Sequence, residues 1–176
     1  MKALIILADG FEEIEAFTTV DVLRRAWVDV TVSGLVSTVV EGAHKVRTMT
    51  DSKITDVSPD SFDALILPGG PGYKNLLNST TVLKMVQDFN KKNKIIAAIC
   101  AAPAVLAKAG ALDGKIATIY PGMESHLPRP RDAKVVVDKN IITSRSPGTA
   151  MDFALKLAEI LTTKAGAKKV LTAMAM

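Results

Sequence analysis

A single cysteine is the strongest nucleophile that this chain can offer. Cys100 is the only cysteine among the 176 residues. It follows the apolar run 94–99 and precedes the small residues Ala101 and Ala102, so the chain can turn sharply there from a strand into a helix. At such an elbow the positive end of the helix lowers the pKa of a thiol. The alternative is a buried cysteine that packs as a small hydrophobic residue, but the position favours a reactive thiolate.

Three acidic residues near the start of the chain supply a candidate partner. Glu12, Glu13 and Glu15 open a predicted helix, where acids stabilise the positive helix end. Glu15 shares a helical face with Thr19 and Val22, which predicts that it points inward and that burial raises its pKa. A protonated carboxyl group beside a thiolate can donate a hydrogen bond and later carry a proton.

The remaining candidates are a glycine-rich turn and a tyrosine. Residues 69–72 lack a following Gly-Lys-Ser/Thr, so they predict a tight turn rather than a phosphate loop or dinucleotide site. Backbone N–H groups of this turn and of Ala101 are placed to face an anionic oxygen. Tyr120 ends another predicted strand, and its phenol lies either near the site or capped in the core. His44 and His126 are isolated and the acids show no ligand spacing, so we expect no metal site.

A frame of alternating strands and helices must position these residues. The predicted strands are 2–8, 29–33, 63–67, 94–99 and 116–119, with a β-rich excursion of unclear pairing at 39–50 and a hairpin of 134–137 with 141–143. The predicted helices are 13–26, 80–93, 103–109, one from about Thr149 with a capping box, and 167–173; in the first, Ile14, Phe17, Val20 and Leu23 recur at near-helical spacing. The pattern predicts one α/β domain over residues 1–176, with a doubly wound, mostly parallel sheet, helices on both faces and its site at the carboxyl ends of the strands.

Composition narrows the classes of protein. Hydrophobic residues make up 48% of the chain, enough for one core, and no run approaches the roughly 20 apolar residues of a membrane span. A lone cysteine gives no reason to expect an oxidising compartment, so we expect a cytoplasmic protein that acts without a membrane. The net charge is +4, but the lysines are scattered and only 5% of residues are aromatic, so no specific nucleic-acid partner is expected.

Four motifs, in order along essentially the whole chain, carry a family resemblance. They are residues 8–15 (ADGFEEIE), 67–70 (LPGG), 97–103 (AAICAAP) and 143–149 (TSRSPGT). Together they resemble the ThiJ/PfpI superfamily, and within it the branch of parkinsonism-associated deglycases. The resemblance implies a flavodoxin-like, class I glutamine amidotransferase-like version of the predicted fold.

The resemblance also implies roles for individual residues. Cys100 would be the nucleophile and redox centre and Glu15 its hydrogen-bond partner, with the backbone of Gly70 and Ala101 donating to an oxyanion. Because the first helix usually lies in a dimer interface of this family, Arg25 would reach toward the partner's site.

Two further residues complete the implied site. Arg145 would brace the same rim from within its own chain, and Tyr120 would contribute to substrate binding. The resemblance implies a homodimer.

Two departures from the family pattern bear on activity. The protease-like branch has histidine directly after the cysteine, whereas this chain has Ala101, which argues against peptide hydrolysis. Glyoxalase-active relatives often have a histidine where this chain has Tyr120, and tyrosine titrates at about pH 10 and is a poor base at neutrality. We therefore expect weak or differently tuned activity.

The leading interpretation is a cofactor-free glyoxalase or deglycase acting on methylglyoxal-type aldehydes and glycated adducts through Cys100 and Glu15. The alternative is a redox-sensing, chaperone-like stress protein in which Cys100 oxidises to a sulfinate held by Glu15. A third interpretation is a protease or amidase of the other branch.

Overall fold

Strands and helices alternate along residues 1–175, the part of the chain that the computed structural model describes. The strands are β1 (Lys2–Leu7), β2 (Asp29–Gly34), β3 (Val39–Glu41), β4 (Arg47–Met49), β5 (Ser52–Lys53), β6 (Ala64–Leu67), β7 (Ile95–Ile99), β8 (Val135–Asp138) and β9 (Ile141–Ser144). The α-helices are α1 (Glu13–Arg25), α2 (Tyr73–Asn78), α3 (Thr80–Lys91), α4 (Pro103–Lys108), α5 (Ala150–Leu161) and α6 (Lys164–Ala173).

The main sheet has the order β5-β2-β1-β6-β7-β9-β8. All its neighbouring strands run parallel except β8, which pairs antiparallel with β9 as the predicted hairpin. Because β1, β6 and β7 are adjacent and parallel, their carboxyl ends meet at one edge of the sheet. The predicted doubly wound α/β architecture is confirmed.

Both faces of the sheet are covered, which explains its continuous apolar strands. Successive residues of β1 alternate between two buried clusters: Ala3, Ile5 and Leu7 face α1, α5 and α6, whereas Leu4 and Ile6 face α2, α3 and α4. Within residues 1–175, no helix combines the length and apolar character needed to cross a bilayer.

The β-rich excursion is a separate antiparallel ribbon formed by β3 and β4. Its backbone is attached to the loop after β1: the Gly10 N–H donates to the Glu41 carbonyl at 2.8 Å, and the Ala43 N–H donates to the Phe11 carbonyl at 2.8 Å. The ribbon therefore lies beside the start of α1, at the edge where the strand ends converge.

The strand predicted at 116–119 is wrong. Ala117 makes only an isolated bridge to Pro130. The neighbouring segment contains Pro128 and Pro130, whose nitrogens cannot donate to a ladder, and the Thr118 N–H is bonded instead to the Thr143 side chain at 2.9 Å.

Helix α1 is present as predicted, but it does not bury all of the apolar residues that recur along it. Ile14 is 56% exposed and Phe17 is partly exposed, packing its ring edge-to-face on Phe11 at 5.7 Å. Glu15 and Thr19 lie on the buried stripe of the helix together with Val22 and Leu23. The core-facing side of α1 therefore contains a carboxyl group, on the face that Glu15 was predicted to share with Thr19 and Val22.

Two smaller differences concern helix α2 and the start of helix α5. Helix α2 was not predicted, because its six residues are too few for a periodic pattern. The capping box expected at Thr149 is absent from the described chain: its hydroxyl points backward, donating to the Ser146 carbonyl at 2.8 Å and lying 2.7 Å from the Ser144 hydroxyl.

Candidate active site

Cys100 lies on a strained turn between β7 and α4. Its φ is 63°, in the left-handed region that costs a residue with a side chain about 1–2 kcal/mol. The turn is held from both sides: the Cys100 N–H donates to the Ser144 carbonyl at 2.9 Å, and its carbonyl accepts from the Tyr120 N–H at 2.8 Å. The predicted elbow is confirmed as a backbone feature.

Glu15 points into the same place from α1. It is 0% exposed, and its Oε2 accepts a 2.7 Å hydrogen bond from the Gly69 N–H. Its other oxygen, Oε1, has no hydrogen-bond partner among residues 1–175. The Cys100 thiol is near enough for each of the two groups to alter the pKa of the other. The inward orientation predicted for Glu15 is therefore confirmed.

Burial dominates the acidity of Glu15. It raises the pKa of this carboxyl from 4.5 to about 7, against the opposing effects of the Gly69 N–H and of the neighbouring Cys100 thiol, and the negative charge of Glu12 raises it further. A carboxyl group with a pKa near neutrality can accept and return a proton under ordinary conditions.

The expected lowering of the Cys100 pKa is wrong. Burial, followed by the charge of Glu15, raises the pKa of this thiol to about 12, and the N–H groups of Gly70 and Ala101 only partly oppose that rise. The sequence argument counted the helix end and left out burial. Because the buried pair favours one negative charge over two, the charge rests on Glu15 until the thiol reacts.

Glycines 69 and 70 allow the three strand ends to approach closely. A Cβ on Gly69 would lie 2.7 Å from the Cβ of Cys100 and 2.9 Å from Oε2 of Glu15. Gly70 has a φ of +78°, and a Cβ there would lie 2.6 Å from the Glu12 nitrogen. Cys100, Glu15 and the glycine turn can thus lie this close together because Gly69 and Gly70 have no side chains.

Tyr120 and Arg145 lie in the two chain segments that are hydrogen-bonded to the Cys100 turn. Tyr120 is 45% exposed, so its interpretation as a capped core residue is wrong, and its backbone N–H donates to the Cys100 carbonyl. Arg145 donates to Asp132 at 2.7 Å and lines a cavity of about 200 Å³ together with Pro121, the neighbour of Tyr120.

Arg25 is not brought to Cys100 of its own chain. It lies on the last turn of α1, where it donates to Asp21 at 2.9 Å, ten positions and about 15 Å along the helix from Glu15. Its predicted reach toward a partner's site stays a prediction.

Sequence analysis missed one group of residues at this edge. The turn of the β3–β4 ribbon brings His44 to Glu12 and Glu13, and these three residues offer ligand atoms that lie within 4.8 Å of one another. The description of His44 as isolated is wrong, because residues 31 positions apart meet through the ribbon. The one indication in the sequence was Gly42, a small residue two positions before His44 that leaves space for a neighbouring side chain.

The structure defines a class of doubly wound α/β proteins with a cysteine on a strand-to-helix elbow and a buried glutamate beside it. The particular family follows from comparison: a family model described as the DJ-1/PfpI family matches residues 1–160, and the chain belongs to that family.

Similar proteins span nearly the whole chain. Drosophila melanogaster protein dj-1beta is 44% identical over 175 residues, covering 96% of this chain and 92% of that protein. A crystal structure of Drosophila melanogaster DJ-1beta superposes with a TM-score of 0.95 at 42% identity, covering 99% of this chain and 97% of that chain. A Caenorhabditis elegans protein named a glutathione-independent glyoxalase is 36% identical, covering 91% of this chain and 88% of that protein.

Proposed function

We propose that this protein is a cofactor-independent glyoxalase or deglycase that uses Cys100 as nucleophile and Glu15 as proton carrier. The observation that supports the proposal best is the burial of the two groups together, with the pKa of Glu15 raised to about 7. The relatives support the chemistry: besides the worm glyoxalase, a Pyrococcus abyssi protein named a deglycase is 34% identical, covering 84% of this chain and 92% of that protein.

The proposed reaction begins at the aldehyde of methylglyoxal. The Cys100 sulfur bonds to the aldehyde carbon while the thiol proton passes to Glu15, and the new oxyanion lies near the N–H groups of Gly70 and Ala101. Glu15 then returns its proton to that oxygen, which completes the hemithioacetal.

Rearrangement and hydrolysis follow on the same two residues. Ionised Glu15 removes the carbon-bound proton of the hemithioacetal and returns it to the neighbouring carbon, while the hydroxyl proton passes to the former ketone oxygen, so one carbon is oxidised and the other reduced. The product is a thioester of lactate on Cys100. Water cleaves it to lactate and restores the thiol, so no external oxidant or reductant is needed.

Deglycation begins on the hemiaminal that the aldehyde forms with an amine: the Cys100 sulfur bonds to the aldehyde-derived carbon as its C–N bond breaks, and the amine leaves with the thiol proton that Glu15 carries. The resulting hemithioacetal then rearranges and is hydrolysed to lactate as above. Peptide hydrolysis is disfavoured because Ala101 leaves no base directly after the nucleophile. Residues 1–176 as one domain and a cytoplasmic location stay predictions beside this proposal.

The native protein is expected to convert methylglyoxal to lactate without added glutathione. Because Tyr120 replaces a titratable base, we expect kcat/KM at or below the lower end of the usual enzyme range of about 10⁴–10⁸ M⁻¹s⁻¹. Proton NMR of the reaction mixture measures both substrate loss and product. Absence of lactate would overturn the proposal and favour the redox-sensor alternative, whose signature is the gain of two oxygen atoms at Cys100 under mild peroxide.

We also propose that the protein is a homodimer that uses α1 and the β3–β4 ribbon as its interface. Exposed apolar side chains support it: Ile14 and Phe17 on α1, and Val46 and Met49 on the ribbon. In a twofold interface each substitution acts twice, so a charge on α1 is strongly disruptive.

Ile14→Glu is expected to weaken the dimer by at least about 100-fold, since two unpaired carboxylates would be buried. Sedimentation velocity measures this against a chain mass of 18.7 kDa. Val137→Glu is the matched control, because Val137 is a similarly exposed residue on the distant edge strand β8. A monomeric native protein, or equal weakening by both variants, would contradict the proposed interface.

A further inference from the structure

A second group of ionisable side chains lies at the same edge of the sheet and contacts no reacting atom in the proposed reaction. It consists of Glu12 and Glu13 at the start of α1 and His44 in the turn of the β3–β4 ribbon. We propose that these three residues form a binding site for a divalent transition metal of the zinc type.

The distances between the ligand atoms suit such an ion. His44 Nδ1 lies 2.9 Å from Glu13 Oε2 and 3.7 Å from Glu12 Oε1. Zinc binds nitrogen and oxygen ligands at about 2.0–2.2 Å, which separates neighbouring ligands of a tetrahedral site by roughly 3.3–3.6 Å. The two distances from His44 thus differ from that spacing by less than about 1 Å, and the ligand atoms of all three residues lie within 4.8 Å of one another.

Glu12 is the observation that separates this group from an ordinary surface ion pair. The residue is only 8% exposed, and 11% of its side-chain surface stays open to solvent. Its closest cationic group among residues 1–175 is His44 Nδ1, at 3.7 Å. Glu12 and Glu13 therefore place two negative charges beside one imidazole, and a cation bound among the three residues would offset their repulsion.

Glu13 is held ready in a space made by a glycine. A Cβ on Gly42 would overlap Oε1 of Glu13, so glycine leaves room for this carboxylate. The backbone N–H of His44 donates to the same oxygen at 2.7 Å and leaves Oε2 directed at the imidazole. This supporting contact orients one ligand before any metal binds.

The ligand set selects the type of metal. One imidazole with two carboxylates favours zinc-type ions over Mg²⁺ and Ca²⁺, which prefer oxygen ligands alone. The imidazole of His44 is 69% exposed in the single chain. Because Glu13 and Glu12 raise the pKa of His44, protons compete with the metal and binding weakens as the pH falls.

Isothermal titration with ZnCl₂ and MgCl₂ tests the site, using the Cys100→Ala protein so that the thiol cannot bind the ion. We expect one Zn²⁺ per chain and no measurable Mg²⁺ binding. Because loss of a ligand exceeds the 10–100-fold effect of losing a supporting contact, His44→Gln and Glu12→Gln should each weaken Zn²⁺ binding by about 100-fold or more.

Two control variants test whether the loss of Zn²⁺ binding is specific to the proposed ligands. His126→Gln removes the other histidine, and Glu41→Gln removes a carboxylate of the ribbon that is already paired with Lys45 and Arg47, so both should leave binding unchanged. Absence of Zn²⁺ binding to the Cys100→Ala protein would overturn the proposal, as would binding that survives His44→Gln. Because no substrate is present, this result does not depend on the proposed enzymatic function.

Discussion

Replacing Cys100 by alanine is expected to reduce lactate production by more than about 10⁴-fold, to the uncatalysed background, because the covalent intermediate can no longer form. The substitution removes one buried sulfur and leaves Ala at an elbow position held by two backbone hydrogen bonds. The fold should therefore survive, and circular dichroism checks this before proton NMR measures the product. Lactate formed at the native rate by Cys100→Ala would exclude the proposed mechanism.

Glu15→Gln is the companion variant and separates proton transfer from simple positioning. Gln keeps the shape and can still accept the Gly69 N–H, but it cannot take a proton, so turnover should fall by roughly 10²–10⁴-fold. Native activity should fall as the pH drops through about 7, because the ionised form of Glu15 is the base.

Although Glu15→Gln should lower the turnover, it should raise the free energy of unfolding at high pH. Burial raises the pKa of Glu15 from 4.5 to about 7, so the folded state binds more protons than the unfolded state between these values and loses stability as the pH rises. Above pH 7 the native protein carries a cost of about 3 kcal/mol that Gln does not, and at about pH 4 the difference vanishes. Urea unfolding at pH 8 and pH 4 measures both. Lower activity together with lower stability at pH 8 would indicate that Glu15 mainly supports the fold.

Gly69→Ala is expected to lower both stability and turnover, because the new Cβ would lie 2.7 Å from the Cβ of Cys100 and 2.9 Å from the Ile99 carbonyl. Overpacking of this kind costs about 1–3 kcal/mol in the free energy of unfolding. Even if the chain relaxes, a displacement of about 1 Å between Cys100 and Glu15 should reduce turnover by about 10²-fold.

Gly148→Ala is the matched control for that prediction. The closest atom to a Cβ there is the Ser146 hydroxyl at 3.8 Å, an ordinary contact, so stability should stay within about 1 kcal/mol of the native value. Urea unfolding and lactate production measure both variants. Equal behaviour of Gly69→Ala and Gly148→Ala would mean that the glycine turn does not need to be so close to Cys100.

The parts of the fold that follow from local pattern could be predicted. Strand β1 and strand β7 are continuous apolar runs, and each ends in a polar or small segment, so their order and the shared edge were readable from the residues. The pairing of Cys100 with Glu15 was also predictable, because helical spacing placed Glu15 with Thr19 and Val22 on one face.

The parts that depend on tertiary packing could not be predicted. The charge state of Cys100 is set by how deeply β7 and the glycine turn bury it, and no local pattern contains that depth. The meeting of His44 with Glu13 depends on how the ribbon folds back onto α1. The segment containing Ala117 fails as a strand because of prolines a dozen residues away, which a short window does not include.

Because Cys100 has a left-handed conformation, thermal stability and reactivity compete at this one position. A glycine there would remove strain of about 1–2 kcal/mol while deleting the sulfur. Laboratory evolution that selects only for heat resistance would consequently favour the codon change that destroys the reactive centre. Directed evolution of this scaffold therefore has to screen for turnover in every round, since selection for thermal tolerance alone would enrich inactive variants.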